Sequence, residues 1–238
     1  MEQISIANLE IDVVRKDIKN MHLAVYPPVG RIRLAAPEHT DPEIIRLFAI
    51  SKLGWIKKHV KGFKESHRES PRKYISGEAH YFLGKKYMLE VKEDASKNTV
   101  ELKGTKKIIM NLRLGTSYET RQRLMKEWYR AYLKSVVPAL IDKWEQVIEV
   151  KSSDWQVKHM KTKWGSCKTD TKRILLNLEL AKKPMICLEY IIVHELVHLI
   201  ERNHNDNFIR LLNKFMPKWR LHRDELNRLP VSHVDWDY

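Results

Sequence analysis

The segment YIIVHELVHLIERNHNDNF, Tyr190 to Phe208, constrains the fold of this chain more than any other. Its first half is apolar enough for a buried helix, yet it carries His194, Glu195 and His198, with His204 soon after. Helical residues four apart share a face, with Cβ atoms about 5–6 Å apart. His194 and His198 can therefore turn two imidazole nitrogens toward one ion, and zinc takes nitrogen ligands at about 2.0–2.1 Å. Burying three imidazoles and a carboxylate without partners is costly. A metal site accounts for the pattern better than core histidines do, and the fold must then bring a third ligand back to this helix.

A catalytic zinc needs three protein ligands and an open position for water, whose pKa the ion lowers to about 7. His204 follows His198 at a distance where a chain leaving the helix can double back. Asn203 tolerates the left-handed conformation expected of such an exit. Two rivals stay open. Glu201 falls on the His194/His198 face if the helix continues, and Glu225 sits at a spacing that some HExxH enzymes use for a glutamate ligand. Glu195, beside the first histidine, can reach a water at the ion as a general base without displacing it.

Hydrophobic residues make up 43% of the 238, which argues against disorder and permits one large or two small domains. From Ile11 to Pro37, short alternating bursts predict three strands. Asp41 or Thr40 and then Pro42 predict a helix from about Pro42 to Ser66 that buries Ile45, Phe48, Ile56, Val60 and Phe63. HYFLGKKYMLEV predicts a hairpin turning near Gly84-Lys85, followed by strands around Thr99–Leu102 and Lys107–Leu112. Tyr118 to Val150 has the period of a long helix, bent or broken at Pro138. WQVKHMKTKWGSC and RILLNLEL then predict two strands joined by KTDTK, and NFIRLLNKFM predicts a helix capped by Asn205 or Asp206. The expected class is α+β: a small, mostly antiparallel β module with one helix over residues 1–115, then a minimal catalytic α+β unit over 116–238.

The formal charge is +14, from 44 Lys and Arg against 30 Asp and Glu. Lys57, Lys61, Lys64 and Arg68 form one helical stripe, a candidate phosphate-contacting face for a nucleic-acid partner. Glu65 and Glu69 interrupt it, and long cationic side chains commonly just solvate a helix. Two cysteines, Cys167 and Cys187, are too few for a disulfide framework and suit a reducing compartment. The first residues lack an apolar signal region, and no uncharged apolar run nears the roughly 18 residues of a membrane span. The expectation is a cytoplasmic protein with no membrane partner.

KTKWGSC (Lys161–Cys167), ILLNLEL, the proline-led helix containing VHELVHL, and NHNDNF together resemble the YgjP-like metallopeptidases, zincins related to the SprT-like proteases. VVRKDIKNMHLAVYPPVGRIRLAAP, Trp55-Ile56 and YFLGKKYMLEV resemble the β module of that family, so the resemblance covers nearly the whole chain. It implies a minimal zincin unit with one Zn2+ per chain held by His194, His198 and His204, with Glu195 as general base and the WGSC hairpin beside the site. The substrate it implies is a protein or peptide. The histidine spacing equals that of metzincins, but Glu201 stands where those proteins have glycine. Met216-Pro217 reads as a core methionine at a helix end rather than their methionine turn.

Gly165 and Ser166, with Trp164 beside them, permit the close backbone approach that a substrate-binding edge needs. The competing expectation is a bulge that packs Trp164 into the core. Cys167 reads as a small core residue rather than an inhibitory thiolate. Two functions follow: a zinc peptidase, or a nucleic-acid-binding module with a structural zinc. Glu195 favours the first, because a structural site needs no base.

Overall fold

Strands β1 (Glu2–Ile6), β2 (Leu9–Lys16), β3 (His22–Tyr26) and β4 (Arg31–Pro37) form a sheet in the order β1-β2-β4-β3, with β2 and β4 parallel. In the computed structural model, the residues described are 2–26, 30–65, 72–160 and 163–228. The sheet has four strands where the sequence predicts three. The first was hidden because β1 and β2 turn through Ala7-Asn8, both at positive φ (49° and 64°), and alanine gives no signal for such a two-residue turn. Ile11, Val13, Ile32, Leu34 and Ala36 alternate inward and pack on Ile45, Ala49, Ile56 and Val60.

Those last residues lie on two helices, α1 (Pro42–Ser51) and α2 (Leu53–Glu65), where the sequence predicts one. Asp41 caps α1, its carboxylate accepting from the Glu43 N–H at 2.7 Å. The hydrogen bonds change at the break. The Ser51 hydroxyl donates to the Phe48 carbonyl, and the Lys52 N–H, which would bond that carbonyl in a continuous helix, turns to Ala49 and Ile50 instead. Phe48 is only half-buried, and the side chain of Phe63 lies outside the described residues.

The chain divides into two units at residues 68 and 69 rather than at 115. The strands expected to complete the N-terminal module, β5 (Ala79–Phe82), β6 (Lys85–Lys92), β7 (Thr99–Lys103) and β8 (Lys107–Asn111), belong to the second unit. Their inward residues Phe82, Tyr87, Leu89, Ile108 and Met110 share one core with Met125, Tyr129, Leu133, Val137 and Ile141 of helix α3 (Tyr118–Ile148). That stripe recurs every fourth residue on both sides of Pro138, which is exposed, and α3 runs unbroken through it.

The sheet order β5-β6-β8-β7, with β6 and β8 parallel, repeats the topology of the first unit. Neither sheet is therefore wholly antiparallel, and the repetition leaves no mark in the sequence.

The third sheet has the order β10-β11-β9, from β9 (Asp154–Lys158), β10 (Gly165–Lys168) and β11 (Arg173–Asn177). The first of the two predicted strands is thus two: β9 runs parallel to β11, and β10 antiparallel to it on the other side. RILLNLEL is a strand only to Asn177, after which Leu178–Lys182 is a 3-10 turn. Buried Asn177 explains the change. Its amide donates to the carbonyls of Met160 and Lys163 (2.8 and 2.7 Å), and its oxygen accepts from the Glu179 N–H that starts the turn.

Helices α4 (Met185–Val197), α5 (Asp206–Phe215) and α6 (Trp219–Arg228) complete the unit. No helix is predicted from the sequence at α6. Helix α4 is buried on most sides and tied to α3 by Glu189, which accepts from Trp144 Nε1 and Lys143 Nζ (2.8 and 2.6 Å). Met216 is buried at the end of α5, as a core methionine would be. No described helix is long and apolar enough to cross a membrane.

Candidate metal centre

His194 stands in the last turn of α4 and His198 caps its C-terminus. The chain leaves through a tight turn, with the Glu201 N–H bonded to the Val197 carbonyl, and His204 returns just before α5. Asn203 is not among the residues at positive φ. The exit is organised instead by Glu201, whose carboxylate accepts from the Asn203 N–H and from Asn207 Nδ2 (3.1 and 3.0 Å). With both oxygens engaged in the loop, Glu201 is absent from the group of side chains that could hold a metal ion. Among the described residues that group is His194, His198 and His204, with ligand atoms within 4.8 Å of one another, and Glu225 is not in it either.

The donor set fits zinc. Nε2 of His194 lies 3.0 Å from Nε2 of His204, close to the roughly 3.3 Å that two nitrogens at zinc distance subtend on a tetrahedral ion. His198 Nδ1 lies 3.1 Å from the Glu201 carbonyl, which fixes the tautomer that leaves Nε2 free to ligate. His194 is held neutral: burial, then the neighbouring His198 and His204, push its pKa down to about 3, and its Nδ1 is buried with no hydrogen-bond partner. Burial likewise lowers His198, against the opposing pull of the Glu201 carbonyl.

Beneath all three rings lies Phe208, fully buried on α5, its ring centroid 5.0, 4.6 and 4.7 Å from those of His194, His198 and His204. Its backbone N–H is the one that Asn205 caps, at 3.0 Å. The sequence carries a signal for it: Phe208 leads the apolar face of the amphipathic α5.

Glu195, the residue after His194, lies against β10. It is 4% exposed, and burial raises its pKa to about 8, opposed by the charge of Lys163 and a hydrogen bond from the Cys167 N–H. A Cβ on Gly165 would stand 2.5 Å from Glu195 Oε1. Gly165 therefore leaves room for this carboxylate, a role distinct from the substrate edge expected of it. Trp164, Gly165 and Ser166 are half-buried and line the same cleft, of about 690 Å3, as the histidines. Trp164 also packs on the core, with Lys183 Nζ 5.1 Å from its ring. Cys167 lines the cleft as well, its thiol pushed up to about 11 by burial and then by Glu195.

The basic stripe lies elsewhere, on α2. Lys57 and Lys61 are exposed there, while the side chain of Lys64 and the whole of Arg68 lie outside the described residues.

A helix carrying two imidazoles, a third brought back by the following loop, and a carboxylate facing an open cleft make this α+β protein a metallopeptidase, a hydrolase of peptide bonds. The chain belongs to the YgjP-like family, whose metallopeptidase-domain model matches residues 19–229. Among solved structures, the metallopeptidase zymogen of Pyrococcus abyssi abylysin is 20% identical, matching 40% of this chain and 100% of its own with a TM-score of 0.36. The zymogen of Methanocaldococcus jannaschii jannalysin is 26% identical, over 38% of this chain and 90% of its own, with a TM-score of 0.34. No curated protein matches the chain.

Proposed function

We propose that the chain is a zinc peptidase in which His194, His198 and His204 hold one ion and Glu195 is the general base. The observation that carries this reading is the convergence of three ring nitrogens within 4.8 Å in a cleft that Glu195 also lines. A zinc ion held there would supply Lewis acidity, acidifying water and stabilising negative charge on the oxygen of an attacked carbonyl. Glu195 takes the proton from the attacking water and returns it to the leaving amine. Its burial favours that exchange, since a poorly solvated carboxylate accepts a proton more readily. Phe208 keeps the three rings turned to one point, and the backbone of β10 fixes the carboxylate.

Glu195→Gln tests the reading. It keeps size and hydrogen-bonding capacity but removes the base, so zinc content by elemental analysis should stay at about one equivalent per chain while peptide hydrolysis falls by roughly 10² to 10⁴. His204→Ala should lose both metal and activity. A Glu195→Gln protein as fast as wild type would end the mechanism, and a His204→Ala protein that kept its zinc would return the third ligand to Glu201 or Glu225. The alternative, a nucleic-acid-binding module with a structural zinc, rests on Lys57 and Lys61 among the described residues, and two exposed lysines are what a solvated helix face ordinarily carries.

A further inference from the structure

The cleft above the histidines carries a charge pattern that hydrolysis itself does not require. Lys163, Lys168, Arg202 and Arg223 line it, and among the described residues that line it the one acid apart from buried Glu195 is Asp170. Lys163, Lys168 and Arg202 are exposed, and among the described residues none of the three forms an ion pair. Arg223 is held in place, hydrogen-bonded to Asp224 at 3.1 and 3.2 Å and stacked 5.2 Å from the Trp219 ring.

Their placement follows the path of an extended chain. Among the described strands β10 pairs only with β11; its Cys167 N–H is given to Glu195, so a peptide lying in the cleft beside β10 can join the rest of that edge but not all of it. Lys168 ends β10, and Lys163 precedes its first residue by two. Lys163 and Lys168 are five positions apart, at most about 16 Å of extended chain, so a peptide lying along β10 would meet a cation toward each end. Arg202 comes from the loop that carries the chain from His198 to His204. A cleft lined by one sign of charge concentrates ligands of the other sign.

We propose that this cleft selects acidic peptides, extended segments with Asp or Glu on both sides of the bond to be cut. The proposal rests on the peptidase reading above and adds its substrate class. Exposed charge pairs are individually weak, so the expected selectivity comes from several acting together and amounts to about tenfold at low ionic strength.

The test uses full-length, zinc-loaded protein and three internally quenched peptides of equal length that differ only in carrying Glu, Gln or Lys at the flanking positions. The expected result is a kcat/KM for the Glu peptide about tenfold above that for the Lys peptide, with Gln between and the gap closing as salt rises. Lys168→Glu with Arg202→Glu should shrink or invert the order, with zinc content and melting temperature confirming that the variant is folded. The same peptides, dye-labelled, should bind the Glu195→Gln protein in the same order, a readout that needs no turnover. A Lys peptide cleaved and bound as well as the Glu peptide would overturn acidic selectivity and leave the peptidase standing. If no peptide were cleaved while the Glu peptide still bound Glu195→Gln more tightly, the peptidase reading would fall and the selectivity would hold.

Discussion

At the scale of single residues, the centre depends on two residues that are not chemical participants. Phe208 touches all three histidines from below. Phe208→Ala should cost about 3–5 kcal/mol of stability, as truncation of a buried phenylalanine usually does, and should weaken zinc binding measured by competition with a chelator. Phe208→Leu, which keeps more of the volume, should do less of both. Gly165→Ala acts differently, because its new methyl group would displace the Glu195 carboxylate while leaving the histidines alone. Hydrolysis should fall by at least tenfold, in line with the roughly 10²-fold cost of misplacing a catalytic group by about 1 Å, with zinc content unchanged. Loss of zinc in parallel with activity would show that β10 supports the metal rather than the base.

At the scale of elements, the start of α4 is braced by a turn far away in sequence. Residues Leu83-Gly84 between β5 and β6 both have positive φ (51° and 77°), and their N–H groups donate to the carbonyls of Ala181 and Lys182 at 3.0 Å. A Cβ on Gly84 would stand 2.6 Å from the ring of Pro184, the residue just before α4. Gly84→Ala therefore combines a left-handed backbone with a collision and should cost about 2–4 kcal/mol. Gly104→Ala, at φ +60 with open space around its Cβ, should cost only about 1 kcal/mol. Melting temperatures of the two variants separate the packing from the dihedral, and equal shifts would remove the brace. The sequence marks this turn through Gly84, one residue away from its actual centre, but not what it leans on.

At the scale of the whole molecule, His80 couples stability to pH. It is 3% exposed, with Nε2 3.1 Å from Glu78, and burial with the nearby Arg72 and Lys182 charges lowers its pKa to about 4 against the pull of Glu78. Its folded pKa lies below its unfolded value, so the unfolded chain binds the extra proton between about pH 6.5 and 4. Stability is fully present above that window and falls as pH drops through it, by up to about 3 kcal/mol at 1.36 kcal/mol per pKa unit. Urea unfolding of the chelated protein should show a shallower acid slope for His80→Gln than for wild type. Equal slopes would assign the acid sensitivity elsewhere, since the metal-site histidines contribute identically to both proteins. The sequence by itself determined what depends on neighbours along the chain: the two histidines one turn apart, the glutamate beside them, the helix starts near Pro42 and Asp206, each with two candidate caps, and the alternation of β2 and β4. These follow from helix and strand periods, which are properties of a few consecutive residues. Only the tertiary structure decided that β5–β8 belong with α3, that WQVKHMKTKWGSC contributes two strands, that His204 rather than Glu201 turns toward the other histidines, and that Phe208 and Gly165 shape the site. The stripe on α3 could cover any apolar sheet, and the loop after His198 could present either of two ligands. Which contact forms is set by burial and hydrogen bonding between segments far apart in sequence, and no local period records that choice.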